Sequence, residues 1–194
     1  MKNITGIILA GGKSSRMGSD KGLMSVCGKP MISHVIEQLE ALQIPIIIIA
    51  NNPAYSQFNY PVFEDLMKDK GPVGGIYTGL FKSSTEKNLI VSCDVPNVDS
   101  KLFEHLISFS ENHVVTISEY EGKRHPLVGV YRKKALDVFK ENLHKNQLKL
   151  SYICEDLFCK VLDFSKHKNL ENKPYFSNIN TPEEIKNVNH ENES

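Results

Sequence analysis

Residues 9 to 22 of the chain are Leu-Ala-Gly-Gly-Lys-Ser-Ser-Arg-Met-Gly-Ser-Asp-Lys-Gly, and they follow a short apolar run at Thr5–Leu9. That run predicts a strand, and an open α/β sheet binds its ligands just beyond the carboxyl ends of its strands. Glycines allow the backbone to approach an anion closely, while Arg16 and Lys21 add fixed positive charge. The stretch therefore predicts a loop that holds a triphosphate. The residues alone leave an ordinary glycine-rich surface loop open as the alternative.

The glycine spacing differs from that of the commoner phosphate-binding loops. Gly12 and Gly18 enclose five residues and Ser19-Asp20 follow, so the GxxxxGK[ST] pattern of P-loop proteins is absent. The GxGxxG pattern of dinucleotide-binding folds is absent as well. The spacing thus disfavours both a P-loop GTPase and a standard dinucleotide-binding fold.

Along the chain, short β-branched runs alternate with helical patterns, which is typical of βαβ units. Pro30 opens a helix whose apolar stripe continues to Leu42, and the apolar run Ile46–Ile49 predicts a central strand buried on both faces. A turn at Glu121-Gly122 predicts a local antiparallel excursion. The predicted fold is α/β and Rossmann-like, with a mostly parallel central sheet and helices on both faces. Further strands are predicted at Pro61–Phe63, Asn88–Ser92, Val114–Ser118, Leu127–Tyr131 and Lys160–Phe164, and further helices at Val73–Ser83, Leu102–Phe109, Ala135–Leu143, Leu150–Leu157 and from Thr181-Pro182-Glu183-Glu184 onward.

Length and composition limit the classes of protein to which the chain can belong. With 194 residues, of which 40% are hydrophobic, the chain predicts one domain over residues 1–188 and a frayed polar tail at 189–194. Lys+Arg 23 against Asp+Glu 23 leave no net charge to attract a nucleic acid. The longest apolar stretch, Ile44–Ala50, is far shorter than the ~20 residues that span a bilayer.

The cysteines and the first residues indicate the compartment. Cys27, Cys93, Cys154 and Cys159 form no CxxC pair, which favours reduced, individually packed thiols over a disulfide framework or a zinc site. The apolar run before the glycine-rich loop is too short for a secretory signal. We therefore expect a cytoplasmic protein.

Two aspartates follow predicted strands at the edge where a ligand is expected. Asp94 comes just after the strand at Asn88–Ser92, and a carboxylate there would repel a phosphate unless it binds Mg²⁺, which takes one or two carboxylates together with phosphate oxygens. Asp65 follows the strand at Pro61–Phe63 and is suited to accept hydrogen bonds from base or ribose donors. The structural alternatives are a turn cap for Asp94 and a solvated loop acid for Asp65.

Several motifs, taken together, resemble one family. Their order over nearly the whole chain is similar to that in the molybdenum cofactor guanylyltransferases, which lie within the wider nucleotidyltransferase superfamily. The motifs are Leu9-Ala10-Gly11-Gly12, Arg16-Met17-Gly18, Asp20-Lys21, Gly71-Pro72-Val73-Gly74-Gly75, Cys93-Asp94-Val95-Pro96, His125-Pro126-Leu127 and Asn178-Ile179-Asn180-Thr181-Pro182-Glu183.

The resemblance implies a reaction and a set of site residues. The reaction is transfer of GMP from GTP to the terminal phosphate of molybdenum-molybdopterin, with Mg²⁺ required and pyrophosphate released. Gly11 favours GTP over CTP, because related cytidylyltransferases usually have alanine before the last glycine of this motif. The family's GTP-binding positions fall on Leu9, Ala10, Gly11, Lys21, Asp65 and Asp94, its magnesium position on Asp94, and the expected catalytic residues are Lys21, Arg16 and Asp94.

Other residues keep two interpretations each. Asn180 either completes the metal shell or is a satisfied loop amide, and His125 either meets the acceptor phosphate or lies in a solvated turn. Gly74 and Gly75 either let the chain pass close to the nucleotide or allow tight packing of a helix on the sheet. Helical spacing predicts core positions for the aromatic residues Tyr77 and Phe81.

Rival functions also remain open at this point. The near ones are cytidylyl transfer to molybdopterin and nucleotidyl transfer to a sugar or another small phosphate, and the distant one is a noncatalytic GTP-binding adaptor. The expected partners are GTP, molybdenum-molybdopterin and, transiently, the proteins that deliver and receive the cofactor. Neither nucleic acid nor a membrane is expected.

Overall fold

The structure is a computed structural model that describes residues 3–11, 20–166, 175–176 and 184. Its strands and helices alternate along most of the chain, as the sequence predicts. The strands are β1 (Ile4–Leu9), β2 (Ser25–Val26), β3 (Lys29–Pro30), β4 (Ile46–Ile49), β5 (Val62–Phe63), β6 (Lys87–Ser92), β7 (Val115–Tyr120), β8 (Lys123–Arg132) and β9 (Lys160–Asp163). The helices are α1 (Met31–Ala41), α2 (Gly71–Lys82), α3 (Ser100–Phe109), α4 (Leu136–His144) and α5 (Leu150–Asp156).

Seven of the strands form one mixed sheet in the order β5-β4-β1-β6-β8-β7-β9. β1 lies parallel to both β4 and β6, and β4 lies parallel to β5. β8 runs antiparallel to both of its neighbours, whereas β7 and β9 are parallel. The mostly parallel sheet with an antiparallel excursion is thus confirmed. We call the edge where β1, β4, β5 and β6 end the carboxyl edge.

Apolar side chains cover both faces of the sheet. Successive residues of a strand point to opposite faces, so Ile7 and Ile8 of β1 enter different core clusters, and both are fully buried. Side chains of α1 and α3 pack on one face, and those of α2, α4 and α5 pack on the other. β4 is buried along its whole length, as predicted, and lies one position in from the sheet edge.

Some short elements were not predicted, because none of them is long enough to show periodicity. β2 and β3 form a hairpin whose two turn residues, Cys27 and Gly28, have positive φ angles of 48° and 80°. A 3₁₀ helix over Pro53–Phe58 follows β4, and the Asn52 side chain caps it by accepting from the Ala54 amide at 3.0 Å. The 3₁₀ helix contributes to the site described below, because Asn52 and Tyr55 both bond to Asp20.

Some expectations need correction or lie outside the described residues. Phe81 is 52% exposed rather than in the core, because it occupies the outer side of α2, while Tyr77 is only partly buried. The helix predicted from Thr181 falls outside the described residues except for Glu184, which is helical. Within the part of the chain that the structure describes, no helix has both the length and the apolar character needed to cross a bilayer.

Candidate nucleotide site

A cavity of about 540 Å³ opens at the carboxyl edge. Its walls come from the residues that follow β1, β4 and β5 and from the start of α2. A smaller cavity of about 50 Å³ adjoins it and reaches Ser92 at the end of β6 and Leu127 of β8. A ligand site is therefore present where the strand order predicts one. The larger cavity is lined by Gly11, Asp20, Asn51, Asn52, Asp65, Asp69 and Gly71.

Lys21 and Asp94 meet at this edge. The Lys21 Nζ lies 3.7 Å from Asp94 Oδ2, and both side chains are largely withdrawn from solvent, with 22% and 18% of their surfaces exposed. Ser92 Oγ donates to Asp94 Oδ1 at 2.6 Å, which orients the carboxylate. The structure thus brings together two of the residues that the sequence predicts for the site.

The donor chemistry around Asp94 suits a magnesium ion shared with a ligand. Among the described residues, no group of three or more His, Cys, Asp and Glu side chains is placed to hold a metal. Mg²⁺ commonly binds through one or two carboxylates together with the phosphate oxygens of a substrate and water. A single oriented carboxylate beside a lysine fits that mode of binding, in which the nucleotide supplies further oxygen ligands.

Asp65 is held beside the cavity by a pair of hydrogen bonds to Asn51. The Asn51 Nδ2 donates to Asp65 Oδ2 at 2.9 Å, and the Asp65 amide donates to Asn51 Oδ1 at 3.0 Å. The next amide, that of Leu66, donates to Thr78 Oγ1 at 3.0 Å, so the loop is also tied to α2. Asp65 Oδ1 has no hydrogen-bond partner among the described residues. Burial raises the pKa of the carboxyl above its ordinary value, although the bond from Asn51 lowers it.

Asn51 is a site residue that the sequence analysis missed. It follows the carboxyl end of β4 and lines the larger cavity together with Asp65. The rule that drew attention to Asp65 and Asp94, a polar residue just beyond a buried strand, applies equally to Asn51.

Asp20, which directly precedes Lys21, is anchored by two side chains. Tyr55 donates its hydroxyl proton to Asp20 Oδ1, and Asn52 Nδ2 donates to Oδ2 at 3.2 Å. Burial raises the pKa of the Tyr55 hydroxyl, as do Cys93 and the bond to Asp20, so it stays protonated as a donor. A Cβ on Gly22 would lie 2.4 Å from the Tyr55 oxygen, so only glycine fits there. These contacts fix the backbone on both sides of Lys21.

The backbone of Leu9 and Ala10 supports the site. The Ala10 amide donates to Ile49 O at 2.9 Å, and Leu9 O accepts from the Cys93 amide at 3.1 Å. These two bonds join the end of β1 to the last residue of β4 and to the residue after β6, so they position Gly11. Among the described residues, a Cβ on Gly11 would meet only Ala50 Cα, at 3.9 Å. The described part of the fold therefore does not demand glycine at this position.

Two glycines of α2 differ in whether the packing of the helix on the sheet requires them. A Cβ on Gly79 would lie 2.7 Å from Ile7 Cγ2, so this glycine allows α2 to pack closely on β1. A Cβ on Gly75 would be in ordinary contact, 3.4 Å from Leu9 Cδ2 and 3.8 Å from Asp65 Oδ1. Packing therefore does not require glycine at position 75, which lines the smaller cavity.

His125 lies on β8 and packs against an aromatic residue. Its ring stacks on that of Phe176 with centroids 4.3 Å apart. Burial lowers the pKa of His125 to about 4, and the charge of Lys123 adds to the effect. Burial therefore favours the neutral imidazole at neutral pH. Arg16 and Asn180 lie outside the described residues, as does most of the glycine-rich loop.

Comparison with known proteins identifies the family. A family model described as MobA-like NTP transferase domain matches residues 6–155. A protein named probable molybdenum cofactor guanylyltransferase from Flavobacterium johnsoniae is 38% identical over 190 residues, which cover 97% of this chain and 98% of the relative. The molybdenum cofactor guanylyltransferase of Vibrio parahaemolyticus is 36% identical over 185 residues, covering 92% of this chain and 91% of that one.

Solved structures show the same fold. The molybdopterin-guanine dinucleotide biosynthesis protein A of Archaeoglobus fulgidus superimposes with a TM-score of 0.84 at 22% identity, covering 97% of this chain and 98% of that one. A CMP:2-keto-3-deoxy-manno-octonic acid synthetase complexed with CTP gives a TM-score of 0.75 at 15% identity, covering 99% of each chain. From the matched domain and the full-length relatives, we conclude that the chain belongs to the MobA-like NTP transferase family and, within it, to the molybdenum cofactor guanylyltransferases.

Proposed function

We propose that the chain transfers GMP from GTP to the terminal phosphate of molybdenum-molybdopterin and releases pyrophosphate. The observation that carries this proposal is the placement of the Lys21–Asp94 pair at the same sheet edge as the cavity lined by Asn51 and Asp65. The Lys21–Asp94 pair suits a metal-bound triphosphate, and the cavity offers hydrogen-bond acceptors for a nucleoside. The substrate that accepts GMP is inferred from the relatives, which are named molybdenum cofactor guanylyltransferases.

In the proposed reaction, an oxygen of the acceptor phosphate attacks the α-phosphorus of GTP in line with the leaving group. A new phosphorus–oxygen bond forms, the bond between the α-phosphorus and the bridging oxygen breaks, and pyrophosphate departs with that oxygen. No covalent intermediate with the enzyme is needed, so catalysis consists of positioning and charge stabilisation.

Each charged residue then has a stated role. Asp94 would hold Mg²⁺, which supplies charge neutralisation and orients phosphate oxygens when bound. Lys21 would balance the charge that develops on the departing pyrophosphate, because its ammonium group lies beside Asp94. Arg16, from the same loop, is proposed to assist it. Asn180 remains a candidate for completing the metal shell.

The nucleoside end of GTP is assigned to the larger cavity. Asp65 is a carboxylate with one oxygen free of hydrogen bonds among the described residues, so it is suited to accept from donors of guanine or ribose. Asn51 orients it through two hydrogen bonds. Gly11 leaves room where alanine would add a methyl group beside the ligand, in keeping with a choice of GTP over CTP.

The direct test is to incubate the protein with GTP, Mg²⁺ and a molybdopterin donor and to detect the product by mass. We expect the guanine dinucleotide form of the cofactor together with stoichiometric pyrophosphate. Parallel reactions replace GTP with CTP, or the acceptor with a sugar phosphate. Product formed only in one of these parallel reactions would overturn the proposal, as would GTP binding without pyrophosphate release.

Substitution of Asp94 tests its proposed role as the metal ligand. Asp94→Ala is expected to lower GMP transfer by at least ~10²-fold, comparable to the loss of one strong transition-state contact. The exposed carboxylate Glu64, replaced by Gln, provides a matched control that should keep full activity. Near-normal turnover of Asp94→Ala in saturating Mg²⁺ would contradict the assignment.

A further inference from the structure

The C-terminal cap of α5 brings two cysteines together. Beyond the end of this helix, Phe158 takes a left-handed conformation with φ 47°. The Cys159 amide donates to Cys154 O at 2.9 Å, and the Phe158 amide donates to Glu155 O at 3.0 Å. These two bonds define a Schellman motif, in which the positions occupied here by Cys154 and Cys159 frequently make a side-chain contact. Here both contact positions are cysteines.

Backbone geometry places the pair within reach of a disulfide. The 2.9 Å bond from the Cys159 amide to Cys154 O, with standard backbone dimensions, keeps the two Cα atoms within about 7 Å. Disulfides have Cα separations up to about that value. The two thiols also affect each other's pKa, lowering that of Cys154 and raising that of Cys159. All four cysteines are free thiols, as the sequence predicts, but these two are neighbours rather than individually packed.

The surroundings of the pair favour the reactive thiolate form of Cys154. The neighbouring Cys159 thiol lowers the pKa of Cys154 from its ordinary value, and the charge of Arg124 acts in the same direction, against the opposing effects of burial and Glu155. Cys154 is only 6% exposed, whereas Cys159 is partly exposed and gives a small oxidant a route to the pair. The other two cysteines differ, since Cys27 is exposed on the β2–β3 hairpin and Cys93 is buried beside Gly22.

We infer that Cys154 and Cys159 form a redox-modification site that closes to an intramolecular disulfide on exposure to a peroxide. One thiolate attacks the peroxide, the oxygen–oxygen bond breaks, and a sulfenic acid forms. The second thiol displaces its oxygen as water and forms the sulfur–sulfur bond. In total, the two sulfurs lose two electrons, and hydrogen peroxide with the two thiol protons becomes two molecules of water. Dithiol reagents reverse the modification by thiol–disulfide exchange.

The site is separate from the nucleotide cavities. Cys159 directly precedes β9, whose first residue pairs with Thr116 near the start of β7. β7 runs in the same direction as β6, so this is the sheet edge opposite the carboxyl edge. Neither cysteine lines the cavities assigned to GTP. Substitution of Cys159 is therefore expected to leave GTP binding unchanged.

Peptide mass spectrometry of the full-length protein tests the inference. The reduced protein is treated with a small excess of hydrogen peroxide, alkylated and digested with trypsin, which releases residues 150–160 as one peptide containing both cysteines. We expect this peptide to lose the mass of two hydrogen atoms and to take up no alkyl group. Treatment with dithiothreitol should restore both alkylation sites.

Two variants serve as controls. Cys27→Ser should behave like the wild type, which separates the internal bond from cross-links between molecules. Cys159→Ser should abolish the loss of two hydrogen atoms. The inference is overturned if the wild-type peptide only gains oxygen atoms, or if it keeps two alkylation sites while Cys27 is oxidised.

Discussion

Asp65 is the residue whose geometry best suits the nucleotide recognition proposed above. If its carboxylate accepts hydrogen bonds from the nucleoside, Asp65→Asn should weaken GTP binding by about 10- to 100-fold, since hydrogen bonds to charged groups contribute ~1.5–3 kcal/mol. Calorimetric titration measures this, with Glu64→Gln as the control. A change of less than about twofold would remove Asp65 from the site.

Analogues of GTP then identify the donor that Asp65 meets. Inosine triphosphate lacks the exocyclic amine of guanine, and deoxy-GTP lacks the ribose 2′-hydroxyl. If Asp65 accepts from the base, Asp65→Asn should bind GTP and inosine triphosphate equally well. If it accepts from the ribose, the variant should lose its discrimination against deoxy-GTP.

His125 makes a prediction about pH. Its pKa is about 4 in the folded protein because of burial, against an ordinary value of 6.5. Between these values the unfolded chain binds more protons than the folded one, so the contribution of His125 to stability is complete above pH 6.5 and declines as the pH falls toward 4. Urea unfolding at pH 7 and pH 5 should show this loss in the wild type.

The matched variant is His125→Phe, which keeps an aromatic ring against Phe176 without a titrating group. It should lose less stability than the wild type between pH 7 and pH 5. Equal losses in the two proteins would show that His125 titrates normally, and would reopen a cationic role toward the acceptor phosphate.

At the level of elements, the packing of α2 on β1 can be tested with two glycines one turn apart. Gly79→Ala should lower the free energy of unfolding by ~1–3 kcal/mol, because the new methyl group would lie 2.7 Å from Ile7 Cγ2. Gly75→Ala should be neutral or gain up to ~1 kcal/mol, because its nearest neighbour is 3.4 Å away and alanine favours a helix. Urea titration compares them, and equal stabilities would contradict the close packing at Gly79.

The elements also show what local sequence patterns can predict. Ile46–Ile49 predicts a buried strand because four consecutive apolar, β-branched residues suit a strand covered on both faces. The β2–β3 hairpin and the 3₁₀ helix over Pro53–Phe58 are too short for such a pattern. The cap of α5 shows no such pattern either. Cys154 and Cys159 meet because Phe158 reverses the chain after the helix.

At the level of the whole molecule, the position of the site could be predicted but its internal contacts could not. Asp94 and Asp65 were identified because each follows a strand, and parallel strands end at one edge. The bond from Tyr55 to Asp20 joins residues 35 positions apart, and the bond from Asn51 to Asp65 joins residues 14 apart. No local periodicity encodes such pairs, because they depend on which strands become neighbours.

The central claim is that the carboxyl edge holds a metal-bound guanosine triphosphate, with Asp94 at the metal and Asn51 and Asp65 at the nucleoside. The most direct measurement is a crystal structure of the complex with GTP and Mn²⁺, in which anomalous scattering locates the ion. We expect the ion to be bonded to the Asp94 carboxylate and to phosphate oxygens, with the nucleoside in the cavity beside Asn51 and Asp65. A nucleotide bound elsewhere, or an ion that Asp94 does not contact, would contradict the account.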